Sequence, residues 1–312
     1  KDNRITGNRF HDLGGGGIMV GQRHEPRTEP AVTFRTRIAD NYIHNAGHIY
    51  ITGAGVWCGF SGANIVEHNE IHHMPGSAIS IGWEWGGGLT ISRHNLVRYN
   101  HLHHLGLGKV GGGSGIYTLA YQPGTYVHHN RIHDLEKFTG KGGSHGAFGI
   151  QVDAGCSQVR FEKNVIYRVV NACFKHMGPD HVVRNNVFAF TRGSEKHGGE
   201  GYEVLRRSDQ RSLRFSHNIV YSKDGNLLGD SWGKQNFYAD YNLYWATNAD
   251  ELDIGGMSFK KWQKKGNDRH SKVARPHFVN PEEGNFNFTE DSPAYKLGIE
   301  PIDLSNVGPR SK

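Results

Sequence analysis

Long apolar runs, cysteines and prolines are all scarce in this chain of 312 residues. No stretch approaches the roughly 18 to 20 apolar residues that a membrane-spanning helix needs, so no membrane partner is expected. The three cysteines, Cys58, Cys156 and Cys173, allow at most one bridge, which excludes a disulfide framework. Blocks of like charge are missing too. Lys plus Arg number 36 against 30 Asp plus Glu, a net +6 that mildly favours an anionic ligand, with no basic run of the nucleic-acid type. The basic stretch at residues 260–265 fits the exposed face of a short helix. The chain opens at Lys1 with no leader ahead of it, the form expected of a mature or trimmed protein.

Glycine, by contrast, is abundant, with 43 copies against 10 prolines, and it is scattered rather than clustered. That distribution implies many tight turns between short strands. A repeat runs through them. Asparagine followed two residues later by an apolar residue, and three later most often by histidine or an aromatic, occurs nine times, at Asn8, Asn41, Asn69, Asn100, Asn130, Asn164, Asn186, Asn218 and Asn242. The spacings of 33, 28, 31, 30, 34, 22, 32 and 24 are those of coils that must stack to bury their apolar sides, the longer ones carrying inserted loops. Asparagine tolerates unusual backbone angles, and stacked amides can hydrogen-bond from coil to coil. A propeller would need longer periods, and a leucine-rich solenoid a leucine template that is absent.

The expected fold is therefore all-β, a right-handed parallel β-helix of the pectate-lyase-like kind over residues 1–249. Residues 250–312 are expected to form a C-terminal capping segment of the same domain, with a short amphipathic helix at 257–265 burying Phe259 and Trp262. The alternating segments 18–20, 49–51, 79–81 and 150–152 have the period of strands with one buried face.

In such a solenoid, chemistry belongs on outward side chains. With Ile79, Ile116, Ile150 and Phe174 pointing in, the outward column contains Tyr50, Ser80, Tyr117, Gln151 and Lys175, with Asp153 one step beyond and Trp83, Glu84, Trp85, Tyr121 and His176 beside it. Asp153 is the leading catalytic carboxylate; the alternative role is capping a turn. Trp83 and Trp85 can stack on sugar rings or pack loops onto strands. Glu84, Glu200 and Glu203 are candidate second acids or ordinary loop glutamates, and Arg206 and Arg207 can bind a substrate anion or be surface charges. The 21 histidines invite a metal, but His11, His44, His72, His103 and His133 share one repeat position, which a stacked structural column explains. No metal site is expected. His145 and His176 lie outside that column and are the better catalytic histidines.

The segments Gly76-Ser-Ala-Ile-Ser-Ile-Gly-Trp-Glu-Trp-Gly86, Ser114-Gly-Ile-Tyr-Thr-Leu-Ala-Tyr-Gln-Pro-Gly124, Gly149-Ile-Gln-Val-Asp-Ala-Gly155 and Asn185-Asn-Val-Phe-Ala-Phe190, with a tail at 291–305, carry a resemblance. The chain resembles the parallel β-helix proteins of bacterial polysaccharide degradation, most closely the glycoside hydrolase family 141 group. The resemblance implies a secreted or periplasmic enzyme acting on complex glycans, and members usually carry further chain ahead of the point matching residue 1. It also implies a catalytic pair of aspartates. Asp153 matches one, while Gly112 stands where relatives have the other.

Three functions follow. A glycoside hydrolase would pair Asp153 with Glu84 or Glu203 across a groove lined by Trp83, Trp85, Tyr117, Tyr121 and Gln151, since glycosidic hydrolysis normally uses two carboxyl groups. A polysaccharide lyase acting on uronic acids would instead use Lys175, His176, Tyr117, Arg206 and Arg207 as base and charge neutraliser, with calcium compatible but no other cofactor expected. A non-catalytic glycan-binding solenoid is the third. In each the partner is a polysaccharide or oligosaccharide and the protein a monomer, with loops at 105–114 and 136–147 walling the groove.

Overall fold

The computed structural model describes residues 1–24, 32–86, 88–109, 113–137, 146–192, 201–206, 213–230, 232 and 237–310. Among these, three long parallel sheets of nine, ten and nine strands wind as a right-handed β-helix, each coil giving a strand to each sheet in turn. One coil, for example, runs through Arg37–Ala39, Tyr42–Ala46 and Val56–Gly59. Inside, apolar residues stack in register from coil to coil. Val56, Ile79, Ile116, Ile150, Phe174, Val204 and Leu228 line the third sheet, and Ile43, Ile71, Leu102, Ile132, Ile166 and Phe188 the second, all fully buried. Period-two alternation then turns every second residue outward.

The repeated asparagines form one continuous ladder at the bend between the first and second sheets. From Asn41 onward each Oδ1 accepts both the backbone N–H and the Nδ2–H of the asparagine one coil earlier, as Asn130 Oδ1 does from Asn100 at 3.1 and 3.0 Å and Asn164 Oδ1 from Asn130 at 3.1 and 2.9 Å. The row ends on a carboxylate. Asn242 Nδ2 donates to Asp268 at 2.8 Å, and this fully buried aspartate also accepts from Trp262, Tyr244 and Ser271. The unusual backbone angle falls one residue earlier than expected: Asp40, His68, Tyr99, His129, Lys163, Asn185, His217 and Tyr241, each preceding a ladder asparagine, have φ between 52° and 59°. The asparagines are there for their amides, and the hydrogen bonds hold the strained neighbour in place.

The shared histidine position does form a stack. His11, His44, His72, His103 and His133 lie face to face with ring centroids 5.4, 4.9, 4.9 and 5.2 Å apart, and Tyr167 continues the column at 4.8 Å.

Two expectations about the chain's course change. Residues 49–51 are a turn, not a strand, with Ile49 and Tyr50 both more than 70% exposed. The coils also continue beyond residue 249, because Asp253–Ile254 pairs with Asn226–Asp230 and Lys272–Val273 with Leu243–Ala246. The helix Phe259–Lys264 buries Trp262 against Trp232 and Phe237 and so closes the core. Phe259 is only partly buried against it. Residues 278–310 are a strap rather than an end cap. Phe286, Ala294, Leu297, Ile299 and Ile302 pack on Val165, Val187, Ile219 and Leu243, outward residues of the second sheet. The strap then reaches back to earlier coils, where Gly308 N–H donates to the Tyr99 carbonyl and Arg310 binds Asp40 through two bonds of 2.9 and 2.6 Å.

Three proposed site residues prove to be interior. His176 and Arg206 are paired in register and fully buried, because their outward neighbours are Lys175 and Leu205. Burial holds the His176 imidazole well below its usual range, and neither ring nitrogen has a hydrogen-bond partner among the described residues. The Arg206 guanidinium lies 5.2 Å over the Phe237 ring. Glu203 precedes its strand and turns into the corner between the second and third sheets, accepting from Thr191 N–H at 3.0 Å, Thr191 Oγ1 at 3.2 Å and Cys173 Sγ at 3.3 Å. Cys173, like Cys58 and Cys156, is a buried free thiol.

Replacing Asn130 with alanine removes one rung and leaves the buried Asn100 backbone N–H without its acceptor, while Asn100 Nδ2 keeps the Val66 and Arg98 carbonyls. At about 1–3 kcal/mol for an orphaned buried group, with the Asn130 Nδ2 bonds to Val97 and Asn164 lost as well, Asn130→Ala should cost about 2–4 kcal/mol in urea unfolding, and the same change at the exposed Asn8 well under that. Burial pushes the Glu203 carboxyl up to about 8 from 4.5. Between those pH values the unfolded chain has released a proton that the folded chain keeps, so stability falls as pH rises through this window and levels off above it. Urea midpoints measured near the two ends of the window should therefore converge for Glu203→Gln and diverge for the parent protein.

Candidate functional site

Alternation in the third sheet sets one outward column, Met19, Trp57, Ser80, Tyr117, Gln151, Lys175 and Leu205, aligned from coil to coil. Trp57 occupies the place expected for Tyr50. The signal for it lies in the glycines. A small residue stands immediately before the inward residue of most of these strands, because the chain there passes close over the second sheet: a Cβ on Gly115 would sit 2.4 Å from Ile132 Cγ2, and one on Gly149 2.2 Å from Ile166 Cγ2. Gly55 is the corresponding residue of the earlier coil, and Val56-Trp57-Cys58 is the strand that follows it.

Around this column the structure assembles a line of aromatics ending in a carboxylate. The Trp83 ring lies 5.6 Å from Trp57 and 6.0 Å from Tyr117, tilted against both, and its Nε1–H donates to Ser80 Oγ at 3.0 Å. This bond fixes an indole whose residue sits at φ 89°. The Tyr117 hydroxyl donates to Asp153 Oδ2 at 2.8 Å, while Asp153 Oδ1 accepts the Ala154 N–H at 2.9 Å. Asp153 thus caps its turn with one oxygen and accepts from the Tyr117 phenol with the other. Burial and the adjacent carboxylate both raise the Tyr117 pKa, so the phenol stays a proton-bearing donor at neutral pH. Both Asp153 carboxyl oxygens act as acceptors here.

Beyond Trp57 and Trp83 the line opens into a cleft of about 650 Å³, walled by the Gly15–Gly17 backbone, Met19, Arg23, Tyr50 and Ala54. Its size falls within the usual range of small-molecule sites. The other residues expected here divide. Gln151 Oε1 accepts from the buried Ser114 hydroxyl at 2.8 Å, and Lys175 Nζ lies 5.2 Å over the Phe148 ring, so both are outward yet largely covered. Tyr121 donates to Gln158 Oε1 at 3.3 Å on the next coil. Trp85 is well exposed. Glu84 is half-exposed, with Oε1 turned back to accept the Gly86 N–H at 2.7 Å. Glu203, His176 and Arg206 face the interior, as described above. Arg207, Glu200, His145 and Gly112 lie outside the described residues.

The side-chain hydrogen bonds of Asp153 among the described residues go to Tyr117 and Ala154, and no second carboxylate joins them. Trp57 and Ser114 were not singled out from the sequence. Trp57 was hidden by the choice of residues 49–51 as the strand, and Ser114 by its lack of any signal apart from its place two residues before Ile116.

Residues 1–242 match the family model described as the right handed beta helix region. No curated protein matches the sequence. Among solved structures, one titled as a glycoside hydrolase is 26% identical with a TM-score of 0.52, over 59% of this chain and 32% of its own. A structure of XylC with xylose is 14% identical with a TM-score of 0.47, over 85% of this chain and 53% of its own. The chain spans about a third of the first structure and about half of the second. With the sequence match covering most of its length and three parallel sheets in one stack, the chain belongs to the right-handed beta helix family.

Proposed function

We propose that the protein is a carbohydrate-active enzyme that hydrolyses glycosidic bonds in a complex glycan. The observation that carries this reading is the Tyr117–Asp153 pair standing at one end of the Trp57–Trp83–Tyr117 aromatic line, whose other end opens into the cleft. Aromatic faces suit the C–H faces of sugar rings, and a fixed acceptor carboxylate suits attack on the anomeric carbon or activation of water. Similarity to a solved glycoside hydrolase supports the same class. The family 141 assignment remains the finer form of this proposal.

Hydrolysis also needs a proton for the leaving oxygen. Glu84 is the candidate, since it is half-exposed and follows Trp83 directly, and rotation away from the Gly86 N–H frees its Oε1. The elimination chemistry of a lyase fits less well, because His176 and Arg206, two of its expected groups, are enclosed within the coil.

Reducing-end release from a panel of neutral and uronic-acid polysaccharides, followed together with the ultraviolet absorbance of unsaturated uronates, tests the proposal. Reducing ends should appear without the absorbance rise. Asp153→Asn should lower turnover by about 10³-fold or more, as losing a reacting group does. Tyr117→Phe removes one hydrogen bond to a charged group, worth roughly 10- to 100-fold, and should act mainly on kcat. Trp83→Ala should act mainly on KM. Full activity in Asp153→Asn would overturn the assignment, and an absorbance rise would establish elimination instead.

A further inference from the structure

The outer face of the second sheet, away from the groove, carries two adjacent columns of side chains. One runs His72, His103, His133. The other, two residues earlier on the same strands, runs Glu70, His101, Arg131. Where they meet, Glu70 Oε1 lies 3.2 Å from His103 Nε2 and 3.9 Å from His101 Nδ1. One ligand atom from each of the three residues can be chosen so that all lie within 4.8 Å of one another. A tetrahedral ion with bonds of about 2.0–2.1 Å separates its ligand atoms by roughly 3.3 Å, so the two measured distances bracket what a single cation requires.

The surrounding hydrogen bonds set the imidazoles for this task. Arg168 donates to both oxygens of Asp134 at 2.8 Å, and Asp134 Oδ2 lies 2.6 Å from His133 Nδ1, which assigns the His133 proton to Nδ1. His133 Nε2 is then an acceptor, and His101 Nε2, 2.8 Å away, is its donor. The His101 lone pair is left on Nδ1, the nitrogen on the Glu70 side. A carboxylate behind an imidazole, fixing its tautomer and orientation, is the common outer support of a metal-bound histidine. Here the support passes through one further ring. The Nδ1 of His103 meets His104 Nδ1 at 2.7 Å, and donation in that direction leaves His103 Nε2 free to ligate.

We propose that Glu70, His101 and His103 bind one divalent transition-metal ion of the zinc class, with His133 and Asp134 as positioning residues. Two imidazoles and one carboxylate suit zinc, cobalt or nickel and suit calcium or magnesium poorly. Arg131, in register with His101 on the following strand, turns its guanidinium to the next coil, where it donates to the Tyr167 hydroxyl at 3.1 and 2.7 Å. The side chains of Glu70, His101 and His103 are 26%, 24% and 12% exposed, so an ion can enter from solvent and keep a coordination position open to it. Because Glu70 and His101 sit on neighbouring coils, the ion also ties those coils together.

The test is titration of EDTA-treated protein with Co²⁺, read by its visible absorption, followed by displacement with Zn²⁺. One Co²⁺ per chain should bind and be displaced by one equivalent of Zn²⁺, and Zn²⁺ should raise the Tm of the parent protein. Glu70→Gln and His101→Gln should weaken binding by more than about 100-fold, and His133→Gln by about 10- to 100-fold, the loss typical of an outer partner. His73→Gln, which alters a neighbouring stacked ring, should bind as the parent does. Absence of stoichiometric uptake, an unchanged Tm with Zn²⁺, or parent-like affinity in folded Glu70→Gln and His101→Gln would each overturn the proposal.

Discussion

Each coil of this solenoid is joined to the next by an asparagine amide whose oxygen accepts two hydrogen bonds from the coil before and whose nitrogen donates to the coil after. Those amides are buried, so a shifted coil would lose their bonds with no water to replace them. The ladder therefore fixes register. In a strand of period two, register decides which side chains point in and which point out, and a slip of one residue would exchange every core residue with every surface residue. The apolar stacks, the aromatic line leading to Asp153 and the histidine column all inherit their alignment from this one repeated contact.

Much of this was legible in the sequence because a solenoid repeats its reasons. An asparagine that recurs ahead of an apolar residue nine times marks the bend, and simple alternation placed Ser80, Tyr117, Gln151 and Lys175 outward. Failure came where a local pattern imitated the repeat. Ile49-Tyr50-Ile51 alternates like a strand, but three backbone bonds to Leu13 and Gly14 hold residues 48–50 in a turn, and the true strand waits for Gly55. His176 and Arg206 were drawn into the groove by their chemistry although alternation assigns them to the interior. Glu203 was harder to foresee. It takes a position that is glycine at Gly115 and Gly149 and cysteine at Cys173, and only the room left at that corner lets a carboxyl enter.

The second sheet shows how one scaffold position serves two surroundings. Along the first coils its outer residues are Glu70, His101 and Arg131, and along the later ones Val165, Val187, Ile219 and Leu243. The change coincides with the apolar footprint of the C-terminal strap. Sequence alone records the switch, since the histidine of the repeat becomes Tyr167, Ala189, Tyr221 and Trp245, but nothing in it says that the covering segment is the one that carries Phe286, Leu297 and Ile302. A long-range cover of this kind has no periodicity to betray it.

The ladder also has a direction. Its carbonyl dipoles all point the same way, so the row is polarised much as an α-helix is, and hydrogen bonds in such a chain strengthen one another. Asp268 stands at the donor end, where a carboxylate would stand at the start of a helix, and it is held there by Trp262, Tyr244 and Ser271. The last donor of the row is thus closed by a buried carboxyl group beneath a helix. A further coil stacked past Asp268 would find no amide donor left to accept from, so the row stops there by its own chemistry, like a zipper sewn shut.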